Sequence, residues 1–312
     1  MLLSSALTHA PAVDLLQDLP AQLSKIADAV AAQITTALDE SENAATDLRV
    51  GVSYSGGVDS SVLATLVARA VGRERTVLLL GDSASLARRE KSFALRQAKQ
   101  LDLAVVEVVT RELENPNYAS NPVNRCYFCK DELYNRFDEG VLDAHRVGPV
   151  VYGENLDDAA RIDRPGGRAA REHGVLYPLA TASATKADVR SIARAFGLIS
   201  ADKPAAPCLA SRIPHGQAVT AQKLKMIDLA EDAVLRAGFS DCRVRHHGDL
   251  ARVEVPTEEF DLLLDQHRKS ALVNEIKAAG FKHVTLDLEG IRSGAFTLSI
   301  LNAGKTTRGH DE

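Results

Sequence analysis

A serine- and glycine-rich turn near residue 55 has the residue types that hold phosphate groups. It lies between a β-branched run at 48–54 and a helical pattern at 60–71. Glycines there let backbone N–H groups approach an anion, and the following helix offers its positive end. The turn reads SGGVDS, so the candidate phosphate ligands are Ser55, Gly56, Gly57, Asp59 and Ser60. Asp59 is also suited to bind a Mg²⁺ ion that bridges the phosphates. The alternative to a phosphate site is an ordinary tight turn between a strand and a helix.

Four cysteines in a chain of 312 residues do not form a disulfide framework. Cys126 and Cys129 stand in RCYFCK, on adjacent turns or in one knuckle, and Cys208 stands in PCLASR. The pair is compatible with a zinc site completed by Cys208 and His215, with a redox pair, or with two buried thiols. Three thiolates also suffice for a 4Fe–4S cluster with one open iron. Cys242 lies in a predicted strand, and we expect it in the core.

Polar residues at a predicted strand end and in later segments are candidates to bind the nucleotide and an anionic substrate. They are Asn155, Asp157, Asp158, Ser211, Arg212, Arg243 and Arg245. The two aspartates are candidates to contact Mg²⁺ or a ribose, and the alternative is that they cap a helix. Ser211 is a candidate to bind phosphate, and the alternative is that it caps a turn. A guanidinium fork binds phosphate or carboxylate through two hydrogen bonds, whereas a surface salt bridge is the alternative for each arginine. Because Arg243 and Arg245 alternate along a predicted strand, we expect both on one face.

The elements that must position these residues alternate between strand and helix. Predicted strands lie at 48–54, 75–80, 103–109 and 150–152. Helical patterns lie at 15–38, with a break near Pro20, and at 60–71, 86–101, 130–142 and 186–196. Strands separated by helices indicate an α/β fold with a doubly wound parallel sheet and ligands at the carboxyl ends of its strands. After a Pro- and Ala-rich segment at 202–216, shorter strands and helices indicate an α+β tail. We predict a helical segment at 1–46, the α/β domain at 47–212 and a smaller α+β domain at 213–312.

Composition limits the class of protein. Hydrophobic residues make up 45% of the chain and charged residues 25%, as in globular proteins. The net charge of -5 gives no basic surplus, so nucleic acid is an unexpected partner. No stretch approaches the roughly 20 apolar residues of a membrane span, and the first residues lack the pattern of a secretory signal. We expect a cytoplasmic protein with reduced thiols and a small-molecule substrate.

Further segments surround the SGGVDS turn and the cysteine motifs, and the resemblance described below covers about residues 23–300. They are NPVNRCYFCK at 121–130, GENLDD at 153–158, RPG at 164–166, YPL at 177–179, KPA at 203–205, CLASR at 208–212, RVR at 243–245 and LDLEGIRSG at 286–294. SGGVDS is the signature of PP-loop ATP pyrophosphatases, and with these segments the chain resembles the LarE family of that superfamily. The residues Gly290-Ile291-Arg292 depart from the family, which has an aromatic in the middle position.

The resemblance implies an enzyme that uses ATP to adenylate a carboxylate of pyridinium-3,5-biscarboxylic acid mononucleotide and then converts it to a thiocarboxylate. In one branch the cysteine that matches Cys208 gives up its own sulfur. In the other, a 4Fe–4S cluster on the residues that match Cys126, Cys129 and Cys208 carries a sulfide. This chain has all three cysteines, so we predict the cluster branch, with these three as the catalytic residues and with ATP and Mg²⁺ as cofactors. A homo-oligomer is expected.

Two other functions share parts of this pattern. A tRNA thiolase of the same superfamily would have a PP-loop and three cysteines, but also extra zinc-knuckle cysteines or a basic RNA-binding segment. Neither is visible in the sequence. A nucleotide-binding scaffold without turnover would bind ATP and release no pyrophosphate.

Overall fold

The computed structural model describes residues 12–42, 47–159 and 165–291. The helices are α1 Ala21–Glu42, α2 Val58–Val71, α3 Arg88–Leu101, α4 Pro116–Ala119, α5 Arg125–Arg136, α6 Leu142–Ala144, α7 Leu156–Ala159, α8 Pro165–Glu172, α9 Pro178–Thr181, α10 Lys186–Ala195, α11 Ala221–Arg236 and α12 Gln266–Ala278. The strands are β1 Arg49–Tyr54, β2 Thr76–Asp82, β3 Ala104–Val109, β4 Val147–Tyr152, β5 Arg243–His247, β6 Leu250–Glu254 and β7 His283–Leu286.

The first of two compact units contains a parallel four-stranded sheet with the order β3-β2-β1-β4. This unit comprises residues 90–110, 126–206 and the described part of 1–83. Alternate residues of β2 enter two different apolar clusters: Leu78 and Leu80 belong to one, Val77 and Leu79 to the other. Because side chains alternate between the faces of a strand, the sheet is covered on both faces. The predicted α/β fold is confirmed.

Burial on both faces explains why the strands of this sheet were visible in the sequence. Val50 and Val52 of β1 are fully buried, as are Leu78 and Leu79 of β2, so these strands read as continuous apolar runs. α2 packs against β1 and β2 and also against α1 and α10. Its buried residues are Val58, Ser60, Ser61, Val62, Leu63, Ala64, Thr65, Leu66, Val67 and Ala68. This helix follows the SGGVDS turn at 55–60, which we call the phosphate turn, and is therefore anchored along its first three turns.

The second unit has a small mixed sheet. It contains residues 84–89, 111–125 and the described part of 207–312. β5 pairs antiparallel with β6, and β6 pairs parallel with β7. An apolar cluster that includes Val234, Val253 and Ile276 lies between this sheet and the helices α11 and α12. Cys242 is completely buried in the same cluster, as predicted. The division of the chain at residues 47 and 213 stays a prediction.

Three element boundaries differ from the predictions. The first helix begins at Ala21 rather than near residue 15, because Pro20 precedes it and lacks the N–H of a helix interior. α5 begins at Arg125, five residues before the predicted start at 130, and ends at Arg136, where a π-turn over 137–141 follows. β4 begins at Val147, three residues earlier than predicted. None of the described helices combines the length with the apolar composition that a membrane span requires.

His246 gives the second unit a pH-dependent stability. Its side chain is 3% exposed on β5 and lies 5.4 Å from the Phe281 ring. Burial, followed by the charge of Lys223, lowers the pKa of His246 from 6.5. A proton therefore binds the unfolded chain more readily than the folded one. The resulting stability is present above pH 6.5 and is lost as the pH falls below it.

We predict that the free energy of unfolding decreases below pH 6.5, by up to about 1.4 kcal/mol per pH unit for this one proton. His246→Gln removes that proton uptake and should make the pH dependence shallower. Urea denaturation at several pH values measures both effects. His267→Gln, which changes an exposed histidine of α12, is the control. An unchanged slope in His246→Gln would contradict the assignment.

Candidate functional site

The turn between β1 and α2 is closed by its two serines. Ser60 Oγ donates a hydrogen bond to the Gly57 carbonyl at 3.1 Å and lies 3.3 Å from the Ser55 backbone nitrogen. The two serine Oγ atoms are also 3.3 Å apart. Gly57 is the N-cap of α2, and the first N–H groups of a helix have no partner within it. The turn therefore groups backbone N–H donors and two hydroxyl groups at the start of α2, and its binding of an anion stays a prediction.

Two glycines allow three elements to meet at this turn. Gly56 has a φ of +71°, and a Cβ there would lie 2.5 Å from the Cα of Ala94 in α3. A Cβ on Gly153, which follows β4, would lie 2.9 Å from the backbone nitrogen of Ser60. Neither position has room for a side chain. The carboxyl end of β4 consequently reaches the first turn of α2.

Asp59 is the charged centre of the turn. Its Oδ1 accepts a hydrogen bond from Asn155 Nδ2 at 2.8 Å, and its Oδ2 pairs with Lys186 Nζ at 2.5 Å. The buried Asn155 also donates to Asp158 Oδ2 at 2.9 Å. The structure thus brings together three of the predicted nucleotide ligands. Asp157 lies beside them and accepts a hydrogen bond from the Lys186 backbone N–H at 2.7 Å.

Lys186 is a site residue that the sequence argument missed. It is the first residue of α10, directly after the N-cap Thr185, which forms a capping box with Asp188. Its ammonium group approaches Asp59, 127 positions earlier in the chain. The sequence did contain a signal for this residue: the TKAD pattern at 185–188 is typical of a helix start. A helix that starts near the carboxyl ends of the strands would place its first lysine close to a bound phosphate.

The CxxC pair lies on α5, in the part of that helix from residue 126 onward that belongs to the unit with the phosphate turn. Cys126 is exposed and Cys129 half-buried, three residues apart and so on adjacent turns of one helix face. The next residue, Lys130, has its Nζ 4.2 Å from the ring centre of Tyr152, the last residue of β4. The pair is therefore anchored beside the carboxyl end of that strand.

Cys208 lies in the second unit, where it is exposed and precedes a short 3-10 helix at Leu209–Arg212. All four cysteines, each within the described residues, are outside disulfides. Burial raises the pKa of the Cys242 thiol, which fits a core residue and not a ligand. Among the residues that the structure describes, no three His, Cys, Asp or Glu side chains form a group that would hold a metal ion. The 4Fe–4S cluster stays a prediction.

The three predicted arginine ligands are paired with carboxylates of their own unit. Arg212 Nε lies 2.7 Å from Glu231 Oε1, Arg245 Nη2 lies 2.8 Å from Glu254 Oε2, and Arg243 Nη1 lies 2.6 Å from Asp241 Oδ1. All three arginine side chains are buried. Salt bridges, the alternative for these residues, are therefore present. The pairs of Arg212 and Arg245 are buried on both sides, whereas Asp241, the partner of Arg243, is partly exposed. The assignment of these arginines and Ser211 to the substrate stays a prediction.

The parallel sheet, the SGGVDS turn and the polar residues at the end of β4 define a PP-loop protein of the α/β class. No family model matches the chain. Over 246 residues it is 41% identical to an uncharacterized protein of Synechocystis sp., covering 79% of this chain and 91% of that protein. Over 260 residues it is 29% identical to the pyridinium-3,5-bisthiocarboxylic acid mononucleotide synthase of Lactiplantibacillus plantarum, covering 83% of this chain and 92% of that enzyme.

A shorter similarity is limited to part of the chain. Over 109 residues the chain is 31% identical to the glutamine-hydrolysing GMP synthase of Prochlorococcus marinus, covering 34% of this chain and 20% of that enzyme. The two longer similarities extend well beyond one phosphate turn. The chain belongs to the LarE family of sulfurtransferases.

We predict that Gly56→Ala destabilises the protein by about 2–4 kcal/mol, because a left-handed backbone and an overpacked contact both become unfavourable. Gly57→Ala is the matched control: its φ of -72° suits alanine, and its Cβ would meet only Ser55 Oγ at 3.4 Å. Thermal unfolding of the two variants measures the difference. Equal melting temperatures would show that the contact with Ala94 is not limiting.

Proposed function

We propose that this chain uses ATP to adenylate a carboxylate of pyridinium-3,5-biscarboxylic acid mononucleotide and then replaces AMP with sulfur, giving a thiocarboxylate. The Lactiplantibacillus relative, whose name specifies the corresponding bisthiocarboxylic product, supports this substrate. The structural observation that carries the proposal is the group of Asp59, Asn155 and Lys186 at the phosphate turn. This group combines a carboxylate for a divalent cation with an ammonium for phosphate.

In the first step, the backbone N–H groups of the turn and the Ser55 and Ser60 hydroxyls hold the ATP phosphates. Asp59 is the proposed ligand of Mg²⁺. Asp158 lies close to it, because the Asn155 side chain donates hydrogen bonds to both carboxylates. The substrate carboxylate attacks the α-phosphorus, and pyrophosphate leaves. The amino-terminal end of α2 and the Lys186 ammonium would stabilise the negative charge on the departing pyrophosphate. A Mg²⁺ ion, when held by Asp59, would supply further positive charge there.

In the second step, a sulfur nucleophile adds to the activated acyl carbon, and AMP leaves with the bonding electrons. Sulfur needs little base assistance near neutral pH because a thiolate is a strong nucleophile. The three thiols of Cys126, Cys129 and Cys208 suit an iron–sulfur cluster by their donor chemistry. Such a cluster, when bound, would supply a sulfide. In the alternative, the Cys208 sulfur itself is transferred, and loss of its Cβ–S bond and Cα proton leaves dehydroalanine.

The first experiment is a pyrophosphate assay. Purified protein is mixed with Mg-ATP and the biscarboxylate nucleotide under anaerobic conditions. We predict release of pyrophosphate and AMP that depends on the nucleotide. ATP binding without pyrophosphate release would indicate a nucleotide-binding scaffold and would contradict the proposed function.

The second experiment separates the two sulfur sources. The protein is treated anaerobically with iron and sulfide and then allowed to turn over. We predict cluster absorbance in the visible range and an unchanged chain mass. A loss of about 34 Da, equivalent to H₂S, would instead identify Cys208 as the donor. Cys126→Ala is expected to abolish the absorbance, and its persistence in this variant would contradict the predicted ligand set.

We predict that Lys186→Met lowers kcat of pyrophosphate release by roughly 10–100-fold, because it removes a charge that faces the leaving phosphates. Lys186→Arg, which keeps the charge with a different shape, should retain more activity. Lys25→Met changes an exposed lysine of α1 and is the control. Wild-type kcat in Lys186→Met would exclude Lys186 from the reaction.

A further inference from the structure

The backbone around Cys208 is held by the side chain of Arg212. Its Nη1 donates to the Pro207 carbonyl at 2.7 Å, to the Cys208 carbonyl at 3.3 Å and to Ser211 Oγ at 2.8 Å. Arg212 is 1% exposed, so the guanidinium side of these part-buried contacts is shielded from water. A single guanidinium group therefore spans the segment 207–211, which we call the Cys208 loop.

Glu231 in turn determines where the Arg212 guanidinium lies. Its carboxylate, which has no exposed surface, binds Arg212 Nε at 2.7 Å and Nη2 at 3.2 Å. It also pairs with Arg89 and accepts a hydrogen bond from the Val244 backbone N–H at 3.0 Å. Burial alone would raise the pKa of Glu231, but Arg212 and Arg89 hold it below its ordinary value. The carboxylate is thus charged and bound on several sides.

A second pair of the same kind holds the other end of the Cys208 loop. Glu254, also buried, binds Arg245 Nε at 2.9 Å and Nη2 at 2.8 Å. The remaining terminal nitrogen of Arg245 donates to the Ser211 carbonyl at 3.0 Å. In both pairs one edge of the guanidinium binds a carboxylate, and the opposite nitrogen binds the loop. This geometry is specific to arginine, whose donors form a rigid fork.

The loop itself leaves the thiol accessible. Cys208 is exposed, whereas Leu209 and Ala210 are buried directly after it. The Leu209 N–H donates to the Ser85 carbonyl at 2.9 Å, and the Ser211 N–H donates to the Cys208 carbonyl at 2.9 Å. The backbone is thus restrained on both sides of a side chain that faces solvent.

We propose that Glu231 and Glu254 are positioning residues for sulfur transfer: through Arg212 and Arg245 they fix the Cys208 loop and the direction in which it presents its thiol. The role in sulfur transfer rests on the proposed function, but the restraint of the loop does not. Arg212 and Arg245 accordingly act on the protein backbone. Neither carboxylate has to touch the substrate.

The test compares Glu231→Gln and Glu254→Gln with Arg88→Gln. The last variant breaks the pair of Arg88 with Asp228, which lies in the same unit but does not touch the loop. Amide hydrogen exchange over 207–213 and the rate at which iodoacetamide alkylates Cys208 are measured by mass spectrometry. Alkylation of the buried Cys242 in the same samples reports any general unfolding.

We expect roughly ten- to hundredfold faster exchange in the loop for both Gln variants, because charge-assisted hydrogen bonds are lost. The alkylation rate of Cys208 should change while Cys242 stays protected. Arg212→Lys should behave like Glu231→Gln, since one ammonium cannot bridge the carboxylate and two carbonyls. If Glu231→Gln does not fold, Glu254→Gln and Arg245→Lys decide the question. Unchanged exchange in the folded variants would overturn the restraint.

Activity separates the positioning role from a merely structural one. In Glu231→Gln and Glu254→Gln, pyrophosphate release should stay near the wild-type rate, while thiocarboxylate formation falls at least about tenfold. Normal sulfur transfer with a loosened loop would overturn the positioning role. An inactive wild-type protein would overturn the proposed function alone, because hydrogen exchange still measures the restraint.

Discussion

The phosphate turn depends on the absence of two side chains. Without a Cβ at Gly56 and Gly153, α3 packs closely against the turn at Gly56, and the end of β4 packs closely against the first turn of α2. This close packing brings Asn155 to Asp59, and the start of α10 adds Lys186. The chemistry proposed for the turn therefore follows from backbone packing, and the charged groups are consequences of where three elements meet.

Buried charges have a different part in the second unit. Moving an ion out of water is unfavourable, so a buried carboxylate is stable only when several donors surround it. Glu231 and Glu254 meet this condition with arginines and, for Glu231, a backbone N–H. Such pairs are weak evidence for stability, but they restrict geometry closely. In this unit they add fixed polar contacts to the apolar cluster that packs the mixed sheet against α11 and α12.

The sequence was sufficient for the α/β fold and for the position of the glycine turn between β1 and α2, because buried strands read as apolar runs and a glycine turn has a local signature. It also placed Asn155 and Asp158 near this turn, because both follow a predicted strand. It could not identify Lys186, which reaches Asp59 only after folding. It also could not identify the carboxylates that pair with the arginines, since Glu231 is 19 positions from Arg212 on another helix. The early start of α5 was missed because Cys, Tyr and Phe are modest helix formers.

The contact between Lys186 and Asp59 means that the turn carries its own counter-ion. In the proposed reaction, Mg²⁺ would compete with the Lys186 ammonium for the Asp59 carboxylate, and the released ammonium would be available to a phosphate. Because the Lys186–Asp59 ion pair would be given up in this exchange, the proposed site would favour ATP that carries its metal over free ATP.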